Sequence, residues 1–318
     1  MTVGTTHAPV WVLGEALMDC IAQPDGQLRP LLGGSPYNLA CATALQDVAV
    51  GFINPFSKDA FGQALLAHLA KSHARNLLPC SPLPTSLAVV QLTNGQPSYG
   101  FYREGIADRD YQITEVLALL QASPPGVLHT GSLMAMPPEH HKVLQIVAAA
   151  KRWGWTLSVD VNLRPRVATD VPAYVQAVRE VAAHADWLKA SDEDLELLGF
   201  HDVSLENASQ LASHWMAQGC SRVALTFGAH GAFLQVGEAQ AQAAAPIVQV
   251  VDTVGAGDTF WGNCLADWVL HDTLANPDRA AARVDQTLAR ALKAAAINCE
   301  RMGCQPPDAP TLAAALQR

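Results

Sequence analysis

An acid placed directly after a glycine turn, in the run Asp252-Thr253-Val254-Gly255-Ala256-Gly257-Asp258-Thr259-Phe260, is where this sequence most readily does chemistry. The β-rich residues 247–251 lead in as a strand, and an apolar-periodic segment over 258–270 leads out as a helix. The first N–H groups of a helix lack partners and carry the positive end of its macrodipole, so phosphate or a developing negative charge is stabilised there. Gly255 and Gly257 let the backbone come close to such a ligand. Asp258 then has two readings. It is either a helix cap, or a general base that takes a proton from a hydroxyl while the amides of Gly255, Ala256 and Gly257 hold a phosphoryl group. Beside a positive helix end its carboxylate is expected to be a weak base.

Other polar residues sit where apolar ones are expected. Asp19 lies in an apolar extended segment, 17–22, where a carboxylate costs free energy unless it is paired or binds something. A salt bridge and a ligand hydroxyl both satisfy it. Asn38 follows the double glycine Gly33-Gly34 at the start of a helix opened by Pro36, either as a cap or as a ligand contact. Asp160, Asn162 and Arg164 alternate at the end of a strand and so share a face, able to converge on a polyanion or a metal-water cluster, with a structural ion pair as the alternative. Thr226-Phe227-Gly228-Ala229-His230-Gly231 is a further glycine loop at a strand end, and Lys189-Ala190-Ser191-Asp192-Glu193-Asp194 an acidic first helix turn. Rival phosphate motifs are missing: there is no Gly-Lys pair, and Gly255-x-Gly257 lacks the third glycine of a dinucleotide fingerprint.

The elements that must position these residues follow from periodicity. Strands are expected at 10–14 and 50–54, with a helix over 59–73 capped by Asp59. Segments 87–92 and 98–103, joined at Asn94-Gly95, read as a hairpin. With 17–29 they are expected to form a small lid. From residue 126 strands and helices alternate: 127–130 and 139–153, 155–160 and 172–184, 187–190 and 192–198, then helix 208–218, strand 222–226, a hairpin-like pair and a last long helix over 284–301. Such repetition implies an α/β protein with a mostly parallel sheet, helices on both faces, and ligands at the C-terminal strand ends. No repeat or linker divides the chain, so residues 1–318 read as one domain.

Composition narrows the partners. A net charge of −9 with no basic run argues against nucleic acid and anionic membranes, and for a small-molecule enzyme. Seven cysteines without a Cys-x-x-Cys pair read as reduced thiols of a cytoplasmic protein. Neither a signal peptide nor a membrane span is evident.

The anchor run, together with Gly33-Gly34-Ser35-Pro36-Tyr37-Asn38, resembles the signatures of the PfkB (ribokinase-like) carbohydrate kinases, and intermediate motifs follow in order from about residue 10 to residue 307. Within that family the chain is most similar to bacterial fructokinases. The resemblance implies a three-layer ribokinase-like fold with a small antiparallel β lid built from segments 17–32 and 87–110. It implies ATP and Mg2+ as cofactors and transfer of the γ-phosphoryl group to a primary sugar hydroxyl. A homodimer through the lid is expected because the lid's apolar strands otherwise leave an exposed edge. Asp258 is then the base and a substrate contact. Asp19, Gly33, Gly34, Asn38, Arg103, Arg109 and Arg164 hold the sugar; Asn162, Ser191, Thr226, Gly228, Gly231, Gly257 and Asn298 serve the nucleotide. Asp194 reaches Mg2+ through water, which suits an ion that keeps most of its waters. Main-chain carbonyls of Asp252, Val254 and Gly303 form a monovalent-cation site, for K+. Ser191 and Asp194 depart from the Asn-x-x-Glu that many relatives carry. Fructose is the expected substrate; 2-keto-3-deoxygluconate, a nucleoside, and a non-catalytic sugar-binding role are the alternatives. A sugar acid needs an arginine bidentate to its carboxylate, and Arg109 stands between Asp108 and Asp110, which neutralise it.

Overall fold

Strands buried on both faces must be apolar at consecutive positions, and Val10–Val12 (β1) shows the consequence: alternate residues enter different cores. The computed structural model describes residues 7–23, 25–93, 96–274 and 276–317. β1 is followed by β2 (Leu17–Ala22), β3 (Leu28–Gly33) and α1 (Ser35–Ala44), then β4 (Val50–Phe52), α2 (Ala60–Lys71) and β5 (Arg75–Asn76). Next come β6 (Ser86–Thr93), β7 (Gln96–Tyr102), α3 (Ile113–Ala122), β8 (Val127–Gly131), α4 (His140–Arg152), β9 (Thr156–Asp160) and α5 (Val171–Ala182). β10 (Trp187–Ser191), α6 (Asp192–Leu197), α7 (Ala208–Ala217), β11 (Arg222–Thr226), β12 (Ala232–Val236) and β13 (Ala239–Ala243) precede the closing helices. These are α8 (Ala256–Leu270), α9 (Pro277–Ala281), α10 (Val284–Cys299) and α11 (Ala309–Leu316).

The central sheet has nine strands in the order β13-β12-β11-β10-β9-β8-β1-β4-β5, parallel from β11 to β5 and antiparallel across β11, β12 and β13. Trp11 and Leu13 pack with Val116, Val143, Tyr174 and Trp215, on the side of α3, α4, α5 and α7. Val10 and Val12 pack with Leu39, Leu65, Trp261 and Leu288, on the side of α1, α2, α8 and α10. Two cores flanking one sheet make three layers, as expected of the ribokinase-like fold. Asp59 caps α2 as anticipated, its Oδ1 accepting from the Gly62 amide at 2.7 Å.

A second sheet, β3-β2-β6-β7, is the lid. It consists of two antiparallel hairpins joined by parallel pairing of β2 with β6. The Asn94-Gly95 turn lies outside the described residues.

One expected strand does not form. Residues 244–250 carry no regular structure, and Ile247 is fully exposed. β propensity there meets no partner: Pro246 removes a donor, and the backbone instead anchors to α10, with Val251 N and Asp252 N donating to Cys299 O at 2.8 and 3.2 Å. Asp252 is therefore a loop residue rather than a strand end. Among the described residues, no helix is long and apolar enough to cross a membrane.

Candidate active site

The N-termini of α1 and α8 meet beside the C-terminal ends of β9 and β10, and this is the candidate cleft. Gly255 is the N-cap of α8 in the left-handed region, φ 75°, and a Cβ there would stand 2.3 Å from the Cys304 thiol sulfur. The backbone N–H groups of Gly257 and Asp258 find no acceptor among the described residues. Such unpartnered N–H groups at a helix start are able to receive an anion.

Asp258 is not a cap. Its Oδ1 accepts from the Ser35 hydroxyl at 2.7 Å and its Oδ2 from the Asn38 amide at 2.8 Å, so α1 holds the acid across the cleft. The expectation of a weak base is overturned. Burial pushes the carboxyl above its ordinary value, and the hydrogen bonds from Ser35 and Asn38 and the charges of Lys189 and Arg164 only partly oppose this. Ser35 was missed as a contributor because its hydroxyl reads as a routine helix-start residue.

Asp19 lies on β2, half-buried, and its carboxylate has neither a hydrogen bond nor an ion pair among the described residues. The salt-bridge reading of this acid therefore falls. Burial raises its pKa to about 6; Arg164 opposes the shift and Asp258 and Asp252 add to it. Gly33 packs so closely that a Cβ would lie 2.2 Å from Asp19 Oδ2. Gly34, φ 106°, is the N-cap of α1. Asp19, Gly33, Gly34, Asn38 and Asp258 are thus brought together.

Arg103 and Arg109 behave differently from free ligand contacts. Arg103 is buried, with Nη1 donating to Ser86 Oγ at 2.9 Å and to Asp108 Oδ2 at 3.2 Å. Arg109 faces Asp108, Glu139 and Glu15. Asp110 does not neutralise it, since Asp110 accepts from Ser81 Oγ at 2.5 Å instead. This cluster still holds buried polar atoms without partners, namely Glu15 Oε2, Arg103 Nε and Nη2, Asp108 Oδ1 and Arg109 Nε. Such atoms want water or ligand hydroxyls.

The shared face of Asp160, Asn162 and Arg164 is also corrected. β9 ends at Asp160, and Asn162 takes a left-handed conformation, φ 37°, so the alternation breaks. Asp160 is consumed by Lys189, whose Nζ lies 3.0 and 3.1 Å from its two oxygens. Asn162 is buried with Nδ2 unpartnered, while Arg164 is exposed near Asp19 and Asp258. Lys189 escaped notice as a site residue, although a lysine inside an apolar strand was the available signal.

On the other side of the turn, Ser191 caps α6 and forms a capping box with Asp194. Asp194 Oδ2 accepts from Ser191 N at 2.8 Å and its Oδ1 from Leu163 N at 2.7 Å, tying the loop after β9 to α6. No cluster of three metal-ligating side chains occurs among the described residues. With Asp194 already engaged by amides, the donor set suits an Mg2+ that arrives on a nucleotide and keeps its waters. Thr226 ends β11, and Gly228 and Gly231 bound the turn into β12. Asn298, expected at the nucleotide, is fully buried and engaged at both ends: Nδ2 donates to Val254 O at 2.8 Å and Oδ1 accepts from Gln305 N at 2.7 Å. It holds the loop in place. Asp252 accepts from Val254 N at 3.1 Å and from Gly303 N at 2.8 Å. The three residues expected to offer main-chain carbonyls to K+ are therefore adjacent, and of those carbonyls Val254 O already accepts from Asn298 Nδ2.

Residues 8–312 match the family described as pfkB family carbohydrate kinase. A fructokinase of Rhizobium leguminosarum bv. trifolii is 33% identical over 289 residues, covering 87% of this chain and 84% of that protein. The crystal structure of Vibrio cholerae O395 fructokinase in its fructose, ADP and calcium ion bound form superposes with a TM-score of 0.80 at 25% identity, covering 98% of this chain and 99% of that one. Xylella fastidiosa fructokinase with bound ATP has a TM-score of 0.81 at 24% identity, covering 97% and 98%, and shares the fold. A family match over residues 8–312, together with a relative 33% identical across most of the chain, makes this protein a member of the PfkB (ribokinase-like) family of carbohydrate kinases.

Proposed function

We propose that this ATP-dependent PfkB-family sugar kinase phosphorylates fructose on a primary hydroxyl. The observation that carries the choice of a neutral sugar is the charge balance at the base of the lid. Three cations, Arg103, Arg109 and Lys142, the last 3.3 Å from Glu139, face three acids, Glu15, Asp108 and Glu139, leaving no surplus cation there for a substrate carboxylate. The unpartnered atoms of the same cluster suit hydroxyls, which both donate and accept.

Asp19 and Asn38 orient the sugar from two sides, Gly33 and Gly34 give it room, and Asp258 takes the proton of the attacking hydroxyl. The free amides of the α8 turn receive the charge of the γ-phosphoryl oxygens. Asp194 would hold through water an Mg2+ carried with the nucleotide, and the ion would supply further charge neutralisation. Asn162 and Arg164 border the path between the two substrates, and Ser191, Thr226, Gly228 and Gly231 line the nucleotide side. The exposed apolar side chains of Val251, Val254 and Met302 offer a surface for a flat base. All seven cysteines are free, in keeping with a cytoplasmic enzyme.

Fructose should exceed 2-keto-3-deoxygluconate by at least about tenfold in kcat/KM, a difference of roughly 1.4 kcal/mol in transition-state binding. Competition between the two sugars with ATP and Mg2+ measures it. Preference for the acid, lost in Arg103→Ala or Arg109→Ala, would establish a carboxylate pocket and defeat the fructose reading.

A homodimer through the lid is the proposed assembly. β3 and β7 are open edges, and Leu28 and Tyr102 expose apolar surface on them. Light scattering at micromolar concentration should give twice the chain mass; a monomer ends this proposal.

A further inference from the structure

Behind the anion turn stands a cation that none of the steps above uses. Lys189 is the middle residue of β10, flanked by the fully buried Leu188 and Ala190, and its own side chain is buried. Asp160 on the neighbouring strand β9 grips the ammonium through both carboxylate oxygens, at 3.0 and 3.1 Å. On its other side the ammonium meets α8. A Cβ at Gly257 would lie 3.0 Å from Nζ and 3.6 Å from Cε, so the missing side chain at 257 is what lets the charge reach the first turn of the helix. Replacing a buried ion pair by apolar residues of similar volume is often neutral or stabilising, so fold stability gives little reason to keep one at this place.

We propose that Lys189 is a positioning residue for phosphoryl transfer: held by Asp160 with its charge against Gly257, it strengthens the turn at the start of α8. This rests on the sugar-kinase reading of the cleft. A fixed charge aimed beforehand at a buried site acts on developing negative charge without reorganisation. The γ-phosphoryl group gains its interaction as the bond to ADP loosens, so the contribution falls on kcat rather than on either KM. Burial works against the charge of Lys189, but Asp160, Asp194 and Asp258 outweigh it and hold the amine protonated.

The groups around Asp258 define what its loss does. They are Ser35 and Asn38 on α1, Asp19 on β2, Asp160 on β9, Arg164 in the loop after β9, Lys189 on β10 and the Cys304 thiol. Lys189 and Arg164 are the cations of this set, and each favours the ionised carboxylate. Without Lys189 the carboxylate binds its proton more tightly, so the acidic limb of kcat moves to higher pH.

Lys189→Met alone leaves Asp160 buried and unpaired, so the double variant Asp160→Asn/Lys189→Met is made beside it. The wild type is first assayed with ATP, Mg2+ and a sugar panel. If it phosphorylates no sugar, the kinase reading itself fails. With an active wild type, the double variant is expected to keep its melting transition and both KM values within about threefold while kcat falls at least about tenfold. Lys189→Met, where folded, should show the acidic limb displaced upward. A double variant whose kcat stays within about twofold of wild type would overturn the proposal. So would loss of its melting transition, which would assign the pair to the fold.

Discussion

Asp258→Asn is expected to lose about 10²–10⁴-fold in turnover while its fold and nucleotide binding stay close to wild type. The substitution keeps size and a hydrogen-bonding oxygen, so one contact from Ser35 or Asn38 survives while the basic group is gone. Burial raises the proton affinity of the native carboxyl above the ordinary value, which makes it a better base than an exposed aspartate. The same shift gives the sign of the pH dependence. The base must be ionised, so kcat falls as pH drops through the raised pKa, and the variant lacks this limb. Single-turnover phosphorylation and nucleotide titration at several pH values measure both quantities. A loss below tenfold at saturating substrates would remove Asp258 from proton transfer.

Asp19→Ala should weaken sugar affinity about tenfold to a hundredfold and leave ATP affinity nearly unchanged, since charge-assisted hydrogen bonds to hydroxyls contribute roughly 1.5–3 kcal/mol. Among the described residues the native carboxylate has no hydrogen-bond or ion-pair partner, so truncation leaves no orphaned donor behind. Its carboxyl is pushed up to about 6. Ionised Asp19 accepts hydrogen bonds from hydroxyls, so sugar KM in the wild type should rise as pH falls below about 6 and stay flat across that range in Asp19→Ala. Equal weakening of ATP and sugar would make Asp19 a structural residue.

The parts of this molecule that local chemistry determines were legible in the sequence. A glycine turn before an apolar-periodic run specifies α8 within a few residues, Asp59 before an amphipathic segment specifies the cap of α2, and the repeated strand-helix rhythm specifies the parallel sheet. What was not legible depends on partners far apart in the chain. Residues 247–251 have strand propensity but no neighbouring strand to pair with. The Asp160–Lys189 pair joins adjacent strands 29 residues apart, so neither residue announces it. Asn298 looked like a ligand contact because nothing local shows that Val254 and Gln305 consume both ends of its amide. The proton affinity of Asp258 was misjudged because the helix end is visible in sequence, whereas the burial that outweighs it arises from packing among α1, α8 and the sheet.

The central claim is that this cleft transfers the γ-phosphoryl group of ATP to a primary hydroxyl of fructose. Phosphorus NMR of the protein with ATP, Mg2+ and fructose tests it directly. Loss of the γ-phosphoryl signal of ATP should be matched by growth of ADP and of one phosphomonoester resonance split by two methylene protons. ATP that stays intact with fructose and with every other sugar offered would contradict the account.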